Sequence, residues 1–471
     1  MNNHVHLIGV CGTAMASLAG MLKARGYRVT GSDAAAYPPM SDFLADLGIA
    51  VSQPYAVGNL QPRPDLVIVG NAISRGNPEI EFVLDERIPF RSLPQMLHDE
   101  FLMGKEPVVV AGTHGKTTTT SMLSWIFHVA VRDPSFLIGG IAENFGSSFR
   151  LGAGLQFLLE GDEYDTAFFD KGPKFLHYFP DSAVLTSVEF DHADIYPDLE
   201  AVKTSFRRLV NLVPRRGRIV AWDGSPAVSD CVARAFCPVE RYGFSPNSHW
   251  QIMDLKFGPQ QTSWAVLRQG KPWATFEFAL AGEYNALNAT AAAAMAANYG
   301  ITAEQIREAL RSFRSVKRRL EVKAEVNGVT IIDDFAHHPT AIAESLKALR
   351  TRYPGRRLWA VLEPRSNTLA RNFFQQELAQ SLALADAVVI AGVYRAAKYS
   401  EQERLNVDLL VASLAANGRY ARHLADAQAI VEHMLPELRA GDVVAILSNG
   451  GFGGIYEELP RRLAETAKSR S

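Results

Sequence analysis

Gly112, Gly115, Lys116 and Thr117 fall within the segment VVVAGTHGKTTTT (108–120), in the order of a phosphate-binding loop. Each residue type has a chemical reason. The two glycines keep Cβ atoms out of the turn, so backbone N–H groups can close around an anion. Lys116 brings a point positive charge, and Thr117 a hydroxyl that suits magnesium. Ahead of the glycines, three valines and Ala111 read as a buried strand. After them, TTTTSMLSWIF reads as a helix whose positive end faces the same anion. One departure stands out: only Thr113 and His114 separate Gly112 from the Gly-Lys-Thr, where the usual loop has four residues.

Two further apolar runs, 155–159 and 183–188, each end in acids. Ligands of open α/β sheets bind at strand C-termini. Glu160, Asp162, Glu163, Asp191 and His192 are therefore expected beside the phosphate loop. Acids so close to a polyphosphate need a cation between them, and magnesium takes oxygen ligands. A single acid of this kind is ordinarily a solvated loop end; two such strands next to a phosphate loop favour a metal site. Asn285 and Asn288 lie one turn apart at the start of the alanine-rich stretch GEYNALNATAAAAMAANYG. Two readings stay open for them: contact with a base or ribose, or a helix cap.

These groups need elements to hold them. The alternation of strands and helices predicts an α/β chain of three domains: an N-terminal Rossmann-like domain (1–104), a central P-loop ATPase-like parallel sheet (105–318) and a C-terminal Rossmann-like domain (319–471). In the first domain, a strand at 4–10 leads into GVCGTAMASLAG, and Gly31-Ser32-Asp33 closes the next strand. Gly9 and Gly12 are present, but Cys11 and Ala14 break the G-x-G-x-x-G spacing. That disfavours a nicotinamide cofactor and suits another nucleotide diphosphate. Residues 215–281 read as an antiparallel insert. Four strand–helix units make up the third domain, with Asp333, Asp334, His337, Arg365, Asn367 and Asn449 at strand ends.

Composition narrows the function classes. A chain of 471 residues exceeds one core, and 47% hydrophobic with 21% charged residues is the balance of a folded globular protein. A net charge of −2 gives no global field for nucleic acid or a membrane surface. Three cysteines, Cys11, Cys231 and Cys237, are too few and too odd for a disulfide framework, which favours a reducing compartment. With no secretory-type N-terminus and no run of apolar residues long enough to span a bilayer, the expected location is the cytoplasm. On physical grounds the chain joins two substrates at the expense of a nucleotide. A kinase stays open, as do, from other classes, an NAD-dependent oxidoreductase and a non-catalytic binding protein.

VVVAGTHGKTTTT, EFDHADIY, GEYNALNA, VKRRLE and DDFAHHPTA occur in the order found in the Mur ligases, which add amino acids to the peptidoglycan precursor. The chain resembles that family over its whole length. GVCGTAMASLAG, TGSDAAAYPPMS, DEYDTAFFDK, VLEPRSNT and LSNGGFGGI further resemble the branch that attaches recycled L-alanyl-γ-D-glutamyl-meso-diaminopimelate to UDP-N-acetylmuramate. The ligase that adds free L-alanine is the alternative. The resemblance implies ATP and Mg2+ as cofactors, the UDP-sugar and the tripeptide as partners, and a monomer or weak homo-oligomer. It also implies roles. Lys116, Glu160 and His192 are the catalytic set. Gly112, Thr113, His114, Gly115, Lys116, Thr117, Thr118, Asn285, Asn288, Arg319 and Asp334 bind ATP, with His337 and His338 as either helpers or turn packing. Thr117, Glu160 and His192 hold the metal. Gly9, Cys11, Gly12, Thr13, Ala14, Ser32, Asp33 and Asn144 meet the UDP-sugar. Arg365, Ser366, Asn367, Asn449, Gly450 and Gly451 meet the peptide, Arg365 because its fork suits a carboxylate. The chain departs from the family pattern in three places: Tyr284 stands for a histidine, Gly161 for an alanine, and Gly172-Pro173 for Arg-Ser. Lys203 lies eleven residues beyond His192, in the general region where some members carry a carbamylated lysine.

Overall fold

The computed structural model describes residues 3–36, 40–258 and 261–468. Residues 37–39, within the TGSDAAAYPPMS segment, lie outside the described residues. Among the described residues the chain builds three large sheets with helices on their faces, and a two-stranded antiparallel ribbon of Asp165–Ala167 and Asp170–Pro173. In the first, five parallel strands run in the order Ala50–Ser52, Arg28–Ser32, His4–Ile8, Leu66–Val69, Phe90–Ser92. The chain winds to one side of His4–Ile8 and then returns to the other. That leaves the Gly9–Gly12 turn at the reversal point, where open α/β sheets form their crevice.

The second sheet has ten strands, and its middle sets the site. Glu106–Ala111 lies between Gln156–Gly161 on one side and Ser182–Leu185 on the other, all parallel. The phosphate loop after Ala111 is thus flanked by the ends of the two strands that carry the acids. The region read as an antiparallel insert is different. Arg218–Trp222 and Val239–Gly243 continue the parallel sheet, and only the meander Trp250–Phe257, Thr262–Arg268, Lys271–Phe278 pairs antiparallel. Parallel strands buried on both faces lack polar alternation, so their sequence does not show direction.

The loop's helix, Lys116–Val129, packs on the alanine helix Glu283–Asn298. Ala289, Ala292, Ala293 and Ala296 are fully buried there, and small side chains let the two backbones approach closely. Trp264 donates its indole N–H to Thr290 at 3.0 Å within this core, a buried hydrogen bond worth about 1 kcal/mol. A single apolar cluster joins the first two domains, with helix Thr13–Ala24 against the hairpin of Ser135–Ala142 and Ser147–Arg150.

The third sheet has six strands, not the four expected: Glu321–Val326, Val329–Asp334, Val443–Leu447, Leu358–Leu362, Ala387–Ala391 and Tyr420–Leu424. The two additional strands lie at the sheet's edges and are largely solvent-facing, so they carry no apolar run. Residues 312–320 link the second and third domains. Val316 bridges to Ala142, and Lys317 N–H donates to Ile141 O at 3.0 Å.

Candidate functional site

Two glycines make the phosphate loop possible. Gly112 has φ 148°, and a Cβ there would overlap the Thr186 hydroxyl. Gly115 has φ 81°, and a Cβ would sit 2.5 Å from Asn288 Oδ1. The shortened loop is laced to the neighbouring strand end. Thr113 N–H donates to Ser187 O at 3.0 Å, His114 N–H to Ser187 Oγ at 2.9 Å, and Thr186 hydroxyl to His114 O. The amides of Thr113 and His114 are therefore engaged within the protein. The N–H groups left for an anion are those at the helix start, Gly115 to Thr118, which have no intrahelical acceptor.

Lys116 Nζ donates to Gly112 O at 2.6 Å and to Glu163 Oε2 at 2.8 Å. Burial alone would lower its pKa, but Glu163, Asp162 and Glu160 outweigh this and raise it, so the ammonium is permanent. Thr117 Oγ1 donates to Glu160 Oε1 at 3.0 Å, and Gly139 N–H to Glu160 Oε2 at 2.7 Å. Arg319 reaches across the domain boundary to Thr117 Oγ1 at 3.2 Å. Burial pushes the Glu160 carboxyl up, against the pull of Lys116.

His192 lies on the other side of Lys116, in the left-handed region at φ 53°. Its Nε2 is 3.3 Å from Glu163 Oε1, an ion-pair contact without hydrogen-bond alignment. Burial opposes its charge, yet Glu163, Asp191 and Asp162 raise its pKa to about 9. Asp162, Glu163 and His192 bring one ligand atom each to within 4.8 Å of one another. Of the three expected metal ligands, Thr117 and Glu160 are directly bonded, whereas His192 is grouped with Glu163.

A histidine whose folded pKa is raised contributes stability in full below its ordinary value of about 6.5, and that contribution disappears as pH climbs through about 9. In metal-free buffer, the unfolding midpoint of the wild type is expected to fall between pH 7 and pH 10 by more than that of His192→Gln, a difference of about 1–3 kcal/mol. Parallel profiles would show that Glu163 does not hold the proton there.

The loop opens into a cavity of about 1260 Å³ lined from two domains, by Tyr284, Asn285 and Asn288 on one wall and Arg319, Asp334 and His338 on the other. Asn285 Nδ2 donates back to Ala281 O at 2.7 Å without capping the helix, while Asn288 presses its carbonyl on Gly115. Asp334 is held by Leu320 N–H and Ala336 N–H, both at 2.8 Å. A second cavity of about 380 Å³ adjoins the first. Asp191, His192, His337 and Asn449 line both, and Asn449 Oδ1 is buried there without a hydrogen-bond partner. Arg365 stacks on Tyr394, its guanidinium carbon 3.9 Å from the ring centroid, with Ser366 and Asn367 beside it. Gly450 leaves room for Arg365 in this position, since a Cβ there would displace the guanidinium.

With this geometry in place, comparison with known proteins decides the family. The descriptions "Mur ligase family, catalytic domain", "Mur ligase middle domain" and "Mur ligase, glutamate ligase domain" match residues 4–102, 110–296 and 318–450. The chain is 42% identical over 467 residues to the UDP-N-acetylmuramate–L-alanyl-γ-D-glutamyl-meso-2,6-diaminoheptandioate ligase of Escherichia coli (strain K12), covering 99% of each. It belongs to the Mur ligase family. A crystal structure of a murein peptide ligase from Psychrobacter arcticus is 37% identical, with a TM-score of 0.76 over 98% of this chain and 99% of that one. A UDP-N-acetylmuramate–L-alanine ligase from Variovorax paradoxus is 33% identical over 482 residues, covering 99% of this chain and 96% of the relative. As a Mur ligase the chain is an ATP-dependent, ADP-forming ligase, and the oxidoreductase and binding-protein readings fall away.

Several expected site residues of this Mur ligase are placed differently by the structure. Asn144 donates to Ser312 O at 2.8 Å and accepts from Arg314 N–H at 2.7 Å, so its amide clasps the interdomain link. Ser32 is fully buried, its hydroxyl bonded to Glu79 behind the Gly9–Gly12 turn. Asp33 accepts from Cys11 N–H at 2.8 Å and so fixes the turn's shape. Burial, with Asp33 nearby, pushes the Cys11 thiol up to about 11. Lys203 lies against Glu200 and Asp230, hydrogen bonds that raise its pKa, and lines neither cavity. Tyr284 stands half-buried on the cavity wall in place of the family histidine, its phenol pushed well up by desolvation. Gly161 packs so that a Cβ would be 2.6 Å from Val109 Cγ1. At Gly172-Pro173 the flanking Lys171 and Lys174 supply the positive charge, paired with Asp165 and Asp162 at 2.5 and 2.6 Å.

Three residues outside the expected set, Glu189, Thr368 and Arg318, tie the site together. Glu189 lies 3.4 Å from His114 and 2.7 Å from Thr340 Oγ1, tying the phosphate loop to the third domain. Thr368 donates to Asp191 at 2.8 Å across the same boundary. Arg318 donates to Ser448 O and Gly450 O, both at 2.8 Å, and holds the SNGG turn. Arg318 lies in the VKRRLE segment, and its position beside Arg319 in the interdomain link is the signal that marks it.

Proposed function

We propose that this Mur ligase joins the tripeptide L-alanyl-γ-D-glutamyl-meso-diaminopimelate to UDP-N-acetylmuramate, by way of an acyl phosphate. The observation that carries the reading is the meeting of a phosphate-loop cavity and a cationic cavity at Asp191, His192, His337 and Asn449. A nucleotide in the first and a peptide in the second bring their reactive ends together at that junction.

A carboxylate does not acylate amines at neutral pH because hydroxide is a poor leaving group. Transfer of the γ-phosphoryl group from ATP to the lactoyl carboxylate replaces it with phosphate. The peptide's alanyl amine then adds to the carbonyl and phosphate departs, leaving the amide, ADP and phosphate. In this reading the Gly115–Thr118 amides cradle the phosphates, and Lys116 leaves Glu163 to neutralise the oxygens that gain charge. Arg319, which reaches Thr117 Oγ1 across the domain boundary, brings a second cation from the third domain. Asn285 and Asn288 bound the nucleoside end, and the Gly9–Ala14 turn with Asp33 receives the UDP portion. Arg365 faces a peptide carboxylate, with Ser366, Asn367 and the Asn449–Gly451 turn around it.

The donor set fits magnesium on its oxygen side: Thr117 and Glu160 converge, and Glu163 Oε1 is buried without a hydrogen bond. His192 fits only after losing the proton that Glu163 holds on it. Bound there, magnesium would supply charge neutralisation between triphosphate and carboxylate. Among the described residues no helix is long and apolar enough to cross a membrane, which is compatible with cytoplasmic substrates.

The test offers UDP-N-acetylmuramate and ATP together with either the tripeptide or free L-alanine. Phosphate release is expected with the tripeptide and at background with alanine; preference for alanine would overturn the assignment.

A further inference from the structure

Apart from Arg365, the second cavity carries two cations, Arg395 and Lys398, that form no ion pair among the described residues, although Asp191 and Asp194 line the same cavity. Arg395 precedes the 3₁₀ turn Ala396–Lys398 in the left-handed region at φ 52°, and Lys398 closes that turn. Both side chains line the smaller cavity and neither lines the nucleotide cavity. The Arg395 guanidinium carbon is 5.2 Å from the Tyr394 ring centroid, on a ring that also carries Arg365. Lys398 Nζ donates to Asn367 Oδ1 at 3.2 Å, an oxygen that also accepts the Tyr399 hydroxyl at 3.1 Å. Through its Nδ2, Asn367 donates to Asp194 at 2.9 Å. Arg365 has Glu363 at 3.4 Å, but among the described residues no acid lies within ion-pair distance of Arg395 or Lys398.

Arg365, Arg395 and Lys398 gather at the end of the cavity away from Asp191 and His192, and an anion between them relieves their mutual repulsion. The arrangement also has a direction. An acceptor amine must reach the junction shared with the nucleotide cavity, so Arg395 and Lys398 meet the opposite end of the acceptor. With the proposed function as its premise, we infer that Arg395 and Lys398 bind the distal carboxylate of diaminopimelate and thereby select the acceptor. The same carbon of that residue bears an ammonium, and Asp194, held by Asn367, is the acid close enough to complement it. Free alanine has no second carboxylate to offer. A tripeptide ending in lysine keeps the distal ammonium and loses only the distal carboxylate, which isolates the contact in question.

The experiment compares kcat/KM for the diaminopimelate and lysine tripeptides in the wild type and in the double variant Arg395→Met/Lys398→Met, with saturating ATP and UDP-N-acetylmuramate. The wild type is expected to prefer diaminopimelate. In the variant that preference falls by about ten- to a hundred-fold, the range for losing a charged hydrogen bond, and the loss resides in KM for the diaminopimelate peptide. An unchanged preference, or an equal fall for both peptides, would overturn the assignment while leaving the ligase reading in place. If the wild type formed no amide with either peptide, the proposed function would fail and this assignment with it.

Discussion

Lys116→Ala is expected to remain folded at 25 °C and to form amide at least about 10³-fold more slowly than the wild type. The lysine's ammonium sits among Gly112 O, Thr113 O and Glu163, at the mouth of the helix whose first amides face the cavity. Other cations nearby do not replace it. Arg319 points at Thr117 from the third domain, and His192 is held by Glu163. The substitution also leaves Glu163, only 2% exposed, without its main partner. Loss of one member of a buried pair costs about 3–5 kcal/mol, reduced here because His192 still faces the same carboxylate. A lowered melting temperature with unchanged affinity for UDP-N-acetylmuramate is therefore part of the prediction, because the UDP portion is assigned to the first sheet. Near-normal turnover in a folded variant would remove Lys116 from the reaction.

Glu160→Ala is expected to lose at least about 10²-fold in kcat and to need more magnesium for half-maximal rate. Glu160 stands at the C-terminal end of the strand beside the phosphate loop and ties Thr117 to the Gly139 amide. Its removal leaves both donors without their acceptor and takes one oxygen ligand from the proposed metal position. The magnesium titration separates this from a purely structural role. A variant with a reduced rate and an unmoved magnesium requirement would show that Glu160 only braces the loop.

The phosphate loop and the acids around it were legible because each depends on local chemistry: glycines at strained φ, a lysine, and acids at strand ends. The sheet order that puts Gln156–Gly161 and Ser182–Leu185 on either side of the loop then does what strand ends alone suggested. Features set by long-range packing were not legible. Asn144 follows two glycines and looks like a ligand-facing amide, yet its partners are Ser312 and Arg314, more than 160 residues away. Thr113 and His114 sit in the loop motif, yet the two-residue spacing draws their amides onto Ser187. Arg395 and Lys398 lie in a loop with no motif, and only the fold brings them to Asn367 and Tyr394. Strands Glu321–Val326 and Tyr420–Leu424 were missed because edge strands facing water lack the apolar run that marks a buried one.

The central claim is that the nucleotide makes the sugar acid reactive toward an amine. The most direct measurement uses UDP-N-acetylmuramate labelled with 18O in both oxygens of its lactoyl carboxylate, with ATP, magnesium and the tripeptide, and follows the isotope by mass spectrometry. One labelled oxygen is expected in each phosphate released, in step with amide and ADP. Phosphate free of label, or ADP formed with no amide, would contradict the account.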